Sequence, residues 1–277
     1  MSIQKIRTKD ATYQKFEVLL TNRNKRHRYQ EFIVEGVRNI NEVIANNWQI
    51  SAFIYQDGKK LSDWATDLLQ RIKTDVNYEL TEHLMNDLSG KEDASELIAI
   101  VKMKEHIKIK MSENPLIALF DRPSNKGNLG TLLRSCDALG IEQLIITGHS
   151  VDIYDPDVIV ASMGSFFKVP FVKLADKLEI EAYLNQLKTD YPSLKIVGTT
   201  VDPTITIYDV DMRSPILFLI GNETHGLNRY YAQISDVMAT IPMSETASAS
   251  SFNVSCAATV VFYEAIRQRK LVKEKSL

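Results

Sequence analysis

Four short apolar segments in the second half of the chain constrain its fold more than any other feature. They predict strands at 116–120, 143–147, 195–199 and 216–220, separated by stretches in which apolar residues recur at helical spacing. Largely apolar strands that alternate with helices are typical of a parallel sheet covered on both faces. Ligands of such sheets bind beyond the carboxyl ends of the strands, so the loops that follow these strands form the candidate site.

The loops after the strands are rich in glycine, asparagine and small residues. The first, 121–130, leads into a helix predicted at 131–139, and Arg134 lies on the polar face of that helix. The second covers 221–228 and the third covers 241–253, where a new helix begins. Taken singly, each segment also has an ordinary structural interpretation: the first as a solvated helix face, the second as a strand-to-helix turn and the third as a flexible linker.

The first 105 residues predict a separate small α/β unit, because strand and helix signals alternate there as well. A lysine-rich segment with a proline follows, which predicts a linker at 106–115 and a second domain at 116–277. The predicted elements of the first domain are a strand at 31–36, a helix at 37–46, a strand at 52–55, a helix at 61–72 and a strand at 97–102.

Positive charge is concentrated at the start of the chain, although the net charge is −2. Eight lysines and arginines but only two acidic residues lie between Met1 and Gln30, with Tyr13, Phe16 and Tyr29 among them. Basic side chains bind phosphates and aromatic rings stack on unpaired bases, so this mixture favours RNA binding. A solvated terminal helix is an equally good interpretation of the segment alone.

Several other classes of protein are disfavoured by the sequence. It has no dinucleotide-binding glycine motif, no phosphate loop and no nucleophile elbow, and its five histidines lack metal-ligand spacing. Cys136 and Cys256 lie in apolar helical patterns, which predicts two buried side chains rather than a disulfide or a metal site. With no secretory signal and no apolar run of about 20 residues, we expect a cytoplasmic protein that binds neither membrane nor metal.

The order and spacing of the three loops resemble motifs 1, 2 and 3 of the SpoU (TrmH) family of RNA 2′-O-ribose methyltransferases. The matching residues are Asn125-x-Gly127-x-x-Gly130-x-x-x-Arg134, then Gly221-Asn-Glu-x-x-Gly226-Leu, then Ile241-Pro-Met243 with Ser251-Phe-Asn-Val-Ser255. The segments 22–28 and 31–38 resemble the appended RNA-binding domain of the family, which is related to ribosomal protein L30e. Phe120-Asp-Arg-Pro123 and Tyr154-Asp-Pro156 are most similar to the avilamycin-resistance type, which acts on large-subunit ribosomal RNA.

This resemblance implies an α/β protein with a deep trefoil knot in its C-terminal parallel-sheet domain. It further implies a homodimer in which two subunits form each active site, S-adenosyl-L-methionine as cofactor, and 23S rRNA, at a uridine, as substrate. The residues that it assigns to the cofactor are Thr199, Leu219, Gly221, Ile241, Met243, Phe252 and Asn253. Those assigned to RNA binding are Arg23, Lys25, Arg26 and Arg28.

The resemblance assigns the chemistry to Arg134, Asn125 and Glu223, with Arg134 near Asn125 at the ribose hydroxyl. Guanidinium groups rarely lose their proton in proteins, so we expect Arg134 to stabilise the developing alkoxide while an RNA phosphate accepts the proton. Glu223 is expected to fix the loops and to orient Asn125 or Arg134. Two alternatives remain: a tRNA 2′-O-ribose methyltransferase, and a non-catalytic RNA-binding or ribosome-assembly module on the same fold.

Overall fold

The computed structural model describes residues 2–89, 95–104, 109–201 and 205–275, with side chains as far as residue 270. It divides into two compact units. The first comprises the described residues up to 104 together with Asp152–Phe167, and the second comprises those from 109 to Val151 and from Lys168 onward. Residues 106–108 of the predicted linker lie outside the described residues.

The helices and strands of the described residues alternate along most of the chain. In order they are β1 (Ser2–Ile6), α1 (Ala11–Thr21), α2 (Arg23–Tyr29), β2 (Glu31–Glu35), α3 (Val37–Ala45), β3 (Ile50–Gln56), α4 (Asp63–Arg71), β4 (Val76–Leu80), α5 (Glu82–Ser89), β5 (Leu97–Lys102), β6 (Leu116–Asp121), α6 (Lys126–Ala138), β7 (Gln143–Thr147), α7 (Pro156–Ser162), β8 (Phe171–Leu174), α8 (Lys177–Asp190), β9 (Lys195–Thr199), β10 (Ile216–Ile220), α9 (Arg229–Ile234), β11 (Val237–Ala239) and α10 (Val254–Lys275).

The first unit is built on a mixed sheet in the order β1-β4-β3-β5-β2. Strand β5 runs antiparallel to both of its neighbours, while β1, β4 and β3 are parallel. Helix α1 buries Tyr13, Phe16 and Leu19 in the core of this unit. The basic N-terminal segment therefore contains a packed helix, not the fully solvated one that was the alternative interpretation.

Residues Asp152–Phe167 belong to the first unit, although the sequence places them in the second domain. Their side chains explain this position, because Phe166 lies 5.7 Å from the ring of Phe32 and 5.3 Å from that of Trp48 between centroids. The indole Nε1 of Trp48 also donates to the carbonyl of Phe167 at 2.8 Å. The segment thus completes an aromatic cluster with residues more than a hundred positions earlier in the chain.

The second unit contains the predicted parallel sheet, in the order β11-β9-β10-β6-β7-β8. All of its described pairings are parallel, which confirms the expected α/β architecture. The four predicted strands appear as β6, β7, β9 and β10, and only β6 differs, by one additional residue. The trefoil knot implied by the resemblance stays a prediction.

Two short strands of this sheet, β8 and β11, were not predicted from the sequence, since they lie at its edges and have only four and three residues. Helix α6 begins five residues earlier than expected. Its N-cap is Asn125, whose side chain accepts from the amide of Asn128 at 2.9 Å, so the first helical turn lies inside the glycine-containing motif.

Of the two cysteines, Cys136 is buried as predicted, but Cys256 is exposed. The prediction for Cys256 was wrong because α10 turns this position away from the apolar face that packs on the sheet. No helix in the described parts of the chain has the length and apolarity needed to cross a membrane.

Candidate active site

The carboxyl ends of β9, β10 and β11 lie side by side at one edge of the second unit's sheet, because these strands are adjacent and parallel. The loops that leave this edge enclose a cavity of about 610 Å³. That volume falls within the range of about 300–1,000 Å³ found for small-molecule sites. The cavity therefore lies where sheets of this kind bind their ligands.

Most of the residues predicted to bind the cofactor line this cavity. They are Thr199, Gly221, Ile241, Met243 and Phe252. The other two predicted residues, Leu219 and Asn253, are not among the lining residues. Leu219 is fully buried and its carbonyl accepts a hydrogen bond from Thr199 Oγ1 at 3.1 Å.

The cavity wall fits a nucleoside-containing cofactor. Apolar side chains of Ile241, Met243 and Phe252 offer surfaces for a planar base, and the backbone around Gly221 offers hydrogen-bonding groups at the strand end. Among the described residues, no cluster of histidine, cysteine and acidic side chains is arranged to hold a metal ion.

Glu223 joins the second loop to the first. Its carboxylate accepts from the amide and the hydroxyl of Ser124 at 3.0 and 2.8 Å, and from the amide of Asn125 at 3.0 Å. Burial raises the pKa of Glu223, but these hydrogen bonds outweigh burial, so the net pKa is lowered. Two of the three predicted catalytic residues, Asn125 and Glu223, are thus in direct contact and the carboxylate is held ionised.

Asn128 connects all three motifs, although it was not among the predicted site residues. Its side-chain nitrogen donates to Glu223 at 3.4 Å, and its side-chain oxygen accepts from Asn253 at 3.0 Å. Its carbonyl accepts from Ser255 Oγ at 2.8 Å. Asn253 thereby binds the first motif and also caps α10 through the amide of Ser255 at 3.0 Å.

A sequence signal for Asn128 was available. The first motif contains the pattern Asn-x-Gly twice, at Asn125-x-Gly127 and again at Asn128-x-Gly130. The second copy was expected to lie in the loop before the helix. In the structure the first copy starts α6 and the second lies in its first turn, facing the other motifs.

The second loop is shaped by Asn222 and two glycines. Asn222 Oδ1 accepts from the amides of Thr224 and His225, both at 3.0 Å, which leaves these two side chains exposed at the cavity. A Cβ atom on Gly221 would lie 2.4 Å from backbone atoms of Gly226 and Leu227, so only glycine fits there. Gly226 instead has a φ of +65° with open space around it, and it is required for the turn itself.

Arg134 is exposed on α6 and is not brought to Asn125. Nine residues of helix separate the two, which corresponds to about 13 Å along the axis and to opposite sides of the helix. Within a single chain the helix therefore holds Arg134 apart from Asn125, and the role that the resemblance assigns to Arg134 stays a prediction.

The four residues expected to bind RNA differ in accessibility within the first unit. Arg28 is exposed, and Arg23 and Lys25 are half-buried. Arg26 is only 1% exposed, and its guanidinium pairs with Asp152 at 2.8 Å and Asp155 at 3.1 Å.

The remaining donors of Arg26 bind the carbonyls of Leu19 and Leu20 at 3.1 and 3.0 Å. With its donors directed into the protein, Arg26 has no access to RNA. This corrects the expectation for Arg26, which is a structural residue of the first unit.

Comparison with known proteins extends this picture. A model of the SpoU rRNA Methylase family matches residues 115–263, and a model of the SpoU L30e-like domain matches residues 10–99. The 23S rRNA (uridine(2479)-2′-O)-methyltransferase of Streptomyces viridochromogenes is 37% identical over 269 residues, covering 96% of this chain and 93% of that protein.

Solved structures agree in fold. The SpoU methyltransferase AviRb from Streptomyces viridochromogenes, in complex with the cofactor AdoMet, gives a TM-score of 0.85 at 37% identity, covering 95% of this chain and 100% of that chain. An RNA 2′-O ribose methyltransferase gives a TM-score of 0.78 at 27% identity, covering 96% of this chain and 100% of that chain.

The parallel sheet, the cavity at its carboxyl edge and these similarities define an S-adenosyl-L-methionine-dependent RNA 2′-O-ribose methyltransferase. More narrowly, the chain belongs to the SpoU rRNA methylase family, whose two domain models together match most of its length. The resemblance drawn from the three motifs is thereby confirmed.

Proposed function

We propose that this protein methylates the 2′-hydroxyl of a uridine ribose in 23S rRNA. The observation that carries the proposal is the 37% identity to a uridine-specific 23S rRNA 2′-O-methyltransferase over nearly the full length of both chains. Because the similarity includes the L30e-like unit as well as the catalytic unit, it covers the parts that would select the RNA. A function in ribosomal RNA modification would place the protein in the cytoplasm.

S-adenosyl-L-methionine, when bound, supplies an activated methyl group. The residues proposed to hold it are those assigned from the family, with Ile241, Met243 and Phe252 against the base and Gly221 at the strand end. Thr199, Leu219 and Asn253 support this wall, the last two through backbone or indirect contacts. Displacement of the methyl group by an alcohol requires alignment of the two centres and stabilisation of the oxygen as its proton leaves.

We assign to Glu223 and Asn125 the role of fixing the loop geometry, and to Arg134 the role of binding the ribose hydroxyl. Glu223 remains ionised and its carboxylate is engaged by the first motif, so it serves to position that segment rather than to accept a proton. Arg134 provides a fixed positive charge for the developing alkoxide, with an RNA phosphate as proton acceptor. If Arg134→Lys kept nearly full activity at neutral pH, a role specific to the guanidinium would be refuted.

We also propose a homodimer, and the position of Arg134 on α6 supports it. Since helix geometry keeps Arg134 away from Asn125 and Glu223 of its own chain, we propose that it acts on the site of a second copy. Val260 and Tyr263, which are 39% and 60% exposed on α10, offer an apolar face for that copy. Helix α10 is joined to α6 by a 2.6 Å hydrogen bond between Thr259 and Ser135, so this face adjoins the helix that carries Arg134.

Mixing two inactive variants tests the shared site. Arg134→Ala and Glu223→Gln proteins, refolded or co-expressed together, should recover about a quarter of the wild-type activity, because half of the dimers carry one site with both groups intact. Full inactivity of the mixture, with dimers present by analytical ultracentrifugation, would show that both groups act in one chain.

In the first unit, Arg23, Lys25 and Arg28 are proposed to contact RNA phosphates, and Arg26 is excluded by its burial. Charge reversal of Arg28 should weaken RNA binding and lower the salt dependence of the affinity, since fewer counterions are released. Unchanged binding of 23S rRNA fragments by Arg28→Glu would remove this residue from the interface.

The substrate is tested by mapping ribose methylation across rRNA and tRNA from cells with and without the gene. The proposal predicts one uridine in 23S rRNA that loses its 2′-O-methyl group. A lost modification in tRNA would favour the alternative substrate. Calorimetry with millimolar S-adenosyl-L-methionine addresses the non-catalytic alternative, because a complete lack of binding would exclude the enzyme.

A further inference from the structure

An ion pair between Asp121 and Arg122 lies at the start of the first motif, and only its carboxylate is buried. Asp121, at the carboxyl end of β6, is 2% exposed. Its two oxygens accept from Arg122 Nε at 2.9 Å and Nη2 at 2.8 Å, which is a bidentate arrangement with fixed geometry. The same carboxylate accepts from the hydroxyl of Thr147 at 3.4 Å and from the amide of Asn228 at 3.3 Å.

Arg122 holds an unusual backbone conformation at the point where the chain leaves the sheet. Its φ is +47°, in the left-handed region that disfavours residues with a side chain. Because its guanidinium binds Asp121, the Arg122 side chain folds back over the end of the sheet. These two hydrogen bonds stabilise the left-handed backbone conformation. Neighbouring Gly148 leaves room for it, since a Cβ there would lie 2.9 Å from Arg122 Cγ.

The turn at Arg122 sets the direction of the first motif. The Arg122 amide donates to the carbonyl of Thr147 at 3.2 Å, and its carbonyl accepts from the side chain of Asn222 at 2.7 Å. The chain then proceeds directly to Ser124 and Asn125, whose amides meet Glu223. A change at Arg122 would therefore be transmitted to the contacts between the first and second motifs within two residues.

We infer that Asp121 and Arg122 are positioning residues for methyl transfer: the pair between the buried carboxylate and the partly exposed guanidinium fixes the turn that delivers the first motif to Glu223. This inference rests on the proposed function, because it assigns the first motif to the ribose hydroxyl. Neither residue lines the cofactor cavity, so the pair acts on the alignment of the reacting groups and not on cofactor affinity. A misalignment of about 1 Å at a reacting centre costs on the order of a hundredfold in rate.

The test compares Asp121→Asn with wild type in single-turnover methylation of a 23S rRNA fragment and in binding of S-adenosyl-L-methionine by calorimetry. We expect the rate to fall between about tenfold and a hundredfold while the cofactor Kd changes less than about threefold. Arg122→Lys, which keeps the charge but loses the bidentate pair, should have an intermediate rate. A purely structural role would instead change rate, cofactor affinity and thermal midpoint together.

A matched control exists on the surface of the same unit. Asp211 and Arg213 form a bidentate pair with both distances at 2.8 Å, but they are exposed and lie outside the cavity lining. Asp211→Asn should therefore leave rate and cofactor affinity unchanged. Arg122→Gly provides a second route, because glycine tolerates the positive φ while the ion pair is lost, so its rate should fall while the cofactor Kd stays within about threefold of wild type.

Hydrogen exchange of the peptide that contains Ser124 and Asn125 gives a readout independent of activity. Faster exchange in Asp121→Asn but not in Asp211→Asn is expected, because the amides bound to Glu223 are released. A wild-type protein that methylates no 23S rRNA would contradict the proposed function alone. Wild-type exchange in Asp121→Asn, or an active Asp121→Asn with a rate within twofold of wild type, would overturn the positioning role.

Discussion

Substitution of Gly221 by alanine is expected to open the second motif and to disrupt cofactor binding. The added Cβ would lie 2.4 Å from the carbonyl carbon of Gly226 and from the amide nitrogen of Leu227. Ordinary contacts of this kind are no shorter than about 3.4 Å, so the two sides of the loop must separate by about 1 Å. Since both neighbours are backbone atoms, no side-chain rotation can relieve the contact.

The loss of stability in Gly221→Ala comes from the hydrogen bonds that close the loop and from the overpacking. Asn222 and Gly226 exchange two backbone hydrogen bonds of 2.9 Å, and a separation of about 1 Å breaks both. Each contributes about 1 kcal/mol, and the overpacking itself costs about 1–3 kcal/mol. We therefore expect a loss of roughly 3–5 kcal/mol, which lowers the thermal midpoint by about 6–20 °C at about 2–4 °C per kcal/mol.

Gly226→Ala is the matched comparison in the same loop. No atom lies within 4 Å of its added Cβ, so the substitution costs only the left-handed conformation, about 1–2 kcal/mol. Thermal denaturation and calorimetry with S-adenosyl-L-methionine should rank Gly221→Ala as clearly more damaging in both stability and affinity. Equal effects of the two variants, or wild-type affinity in Gly221→Ala, would refute the close-approach argument.

Three further predictions concern buried charge and thiol accessibility. Arg26→Met should destabilise the protein by about 3–5 kcal/mol in urea denaturation, because two buried aspartates lose their shared cation; a loss below about 1 kcal/mol would contradict this. The lowered pKa of Glu223 adds stability above the ordinary carboxyl pKa, and this contribution should disappear as pH falls through the folded-state value. The difference in thermal midpoint between wild type and Glu223→Gln should therefore shrink on acidification, and a constant difference would argue against it. In the folded protein a thiol reagent should leave Cys136 unmodified until the chain unfolds, because burial both covers this thiol and raises its pKa; fast modification of Cys136 under native conditions would be incompatible with the structure.

The two cysteines show that helical periodicity does not by itself predict the accessibility of a side chain. Both lie in helices with apolar neighbours, and periodicity alone predicts the same environment for each. In the structure the difference arises from which neighbouring element covers each helix face. Packing between elements decides accessibility, and it is not encoded in the spacing of residues on one helix.

The parallel sheet was determined by the sequence itself, since β7, β9 and β10 each have an apolar centre and begin and end where predicted. The three motifs could likewise be recognised in the sequence, because glycine, asparagine and acidic residues follow the strands in a fixed order. The sequence left the start of α6 open. Because Asn125 is the N-cap of this helix, Arg134 lies on the opposite side of the helix from Asn125.

Only the tertiary structure decided the role of residues separated by long stretches of chain. Arg26 looks like one of several surface cations in the sequence, yet Asp152 and Asp155, more than 120 positions away, bury it. Local patterns record propensity and periodicity, which act over a few residues. The partners of a buried charge, and the contacts that join Glu223 to Asn125, depend on the path of the whole chain.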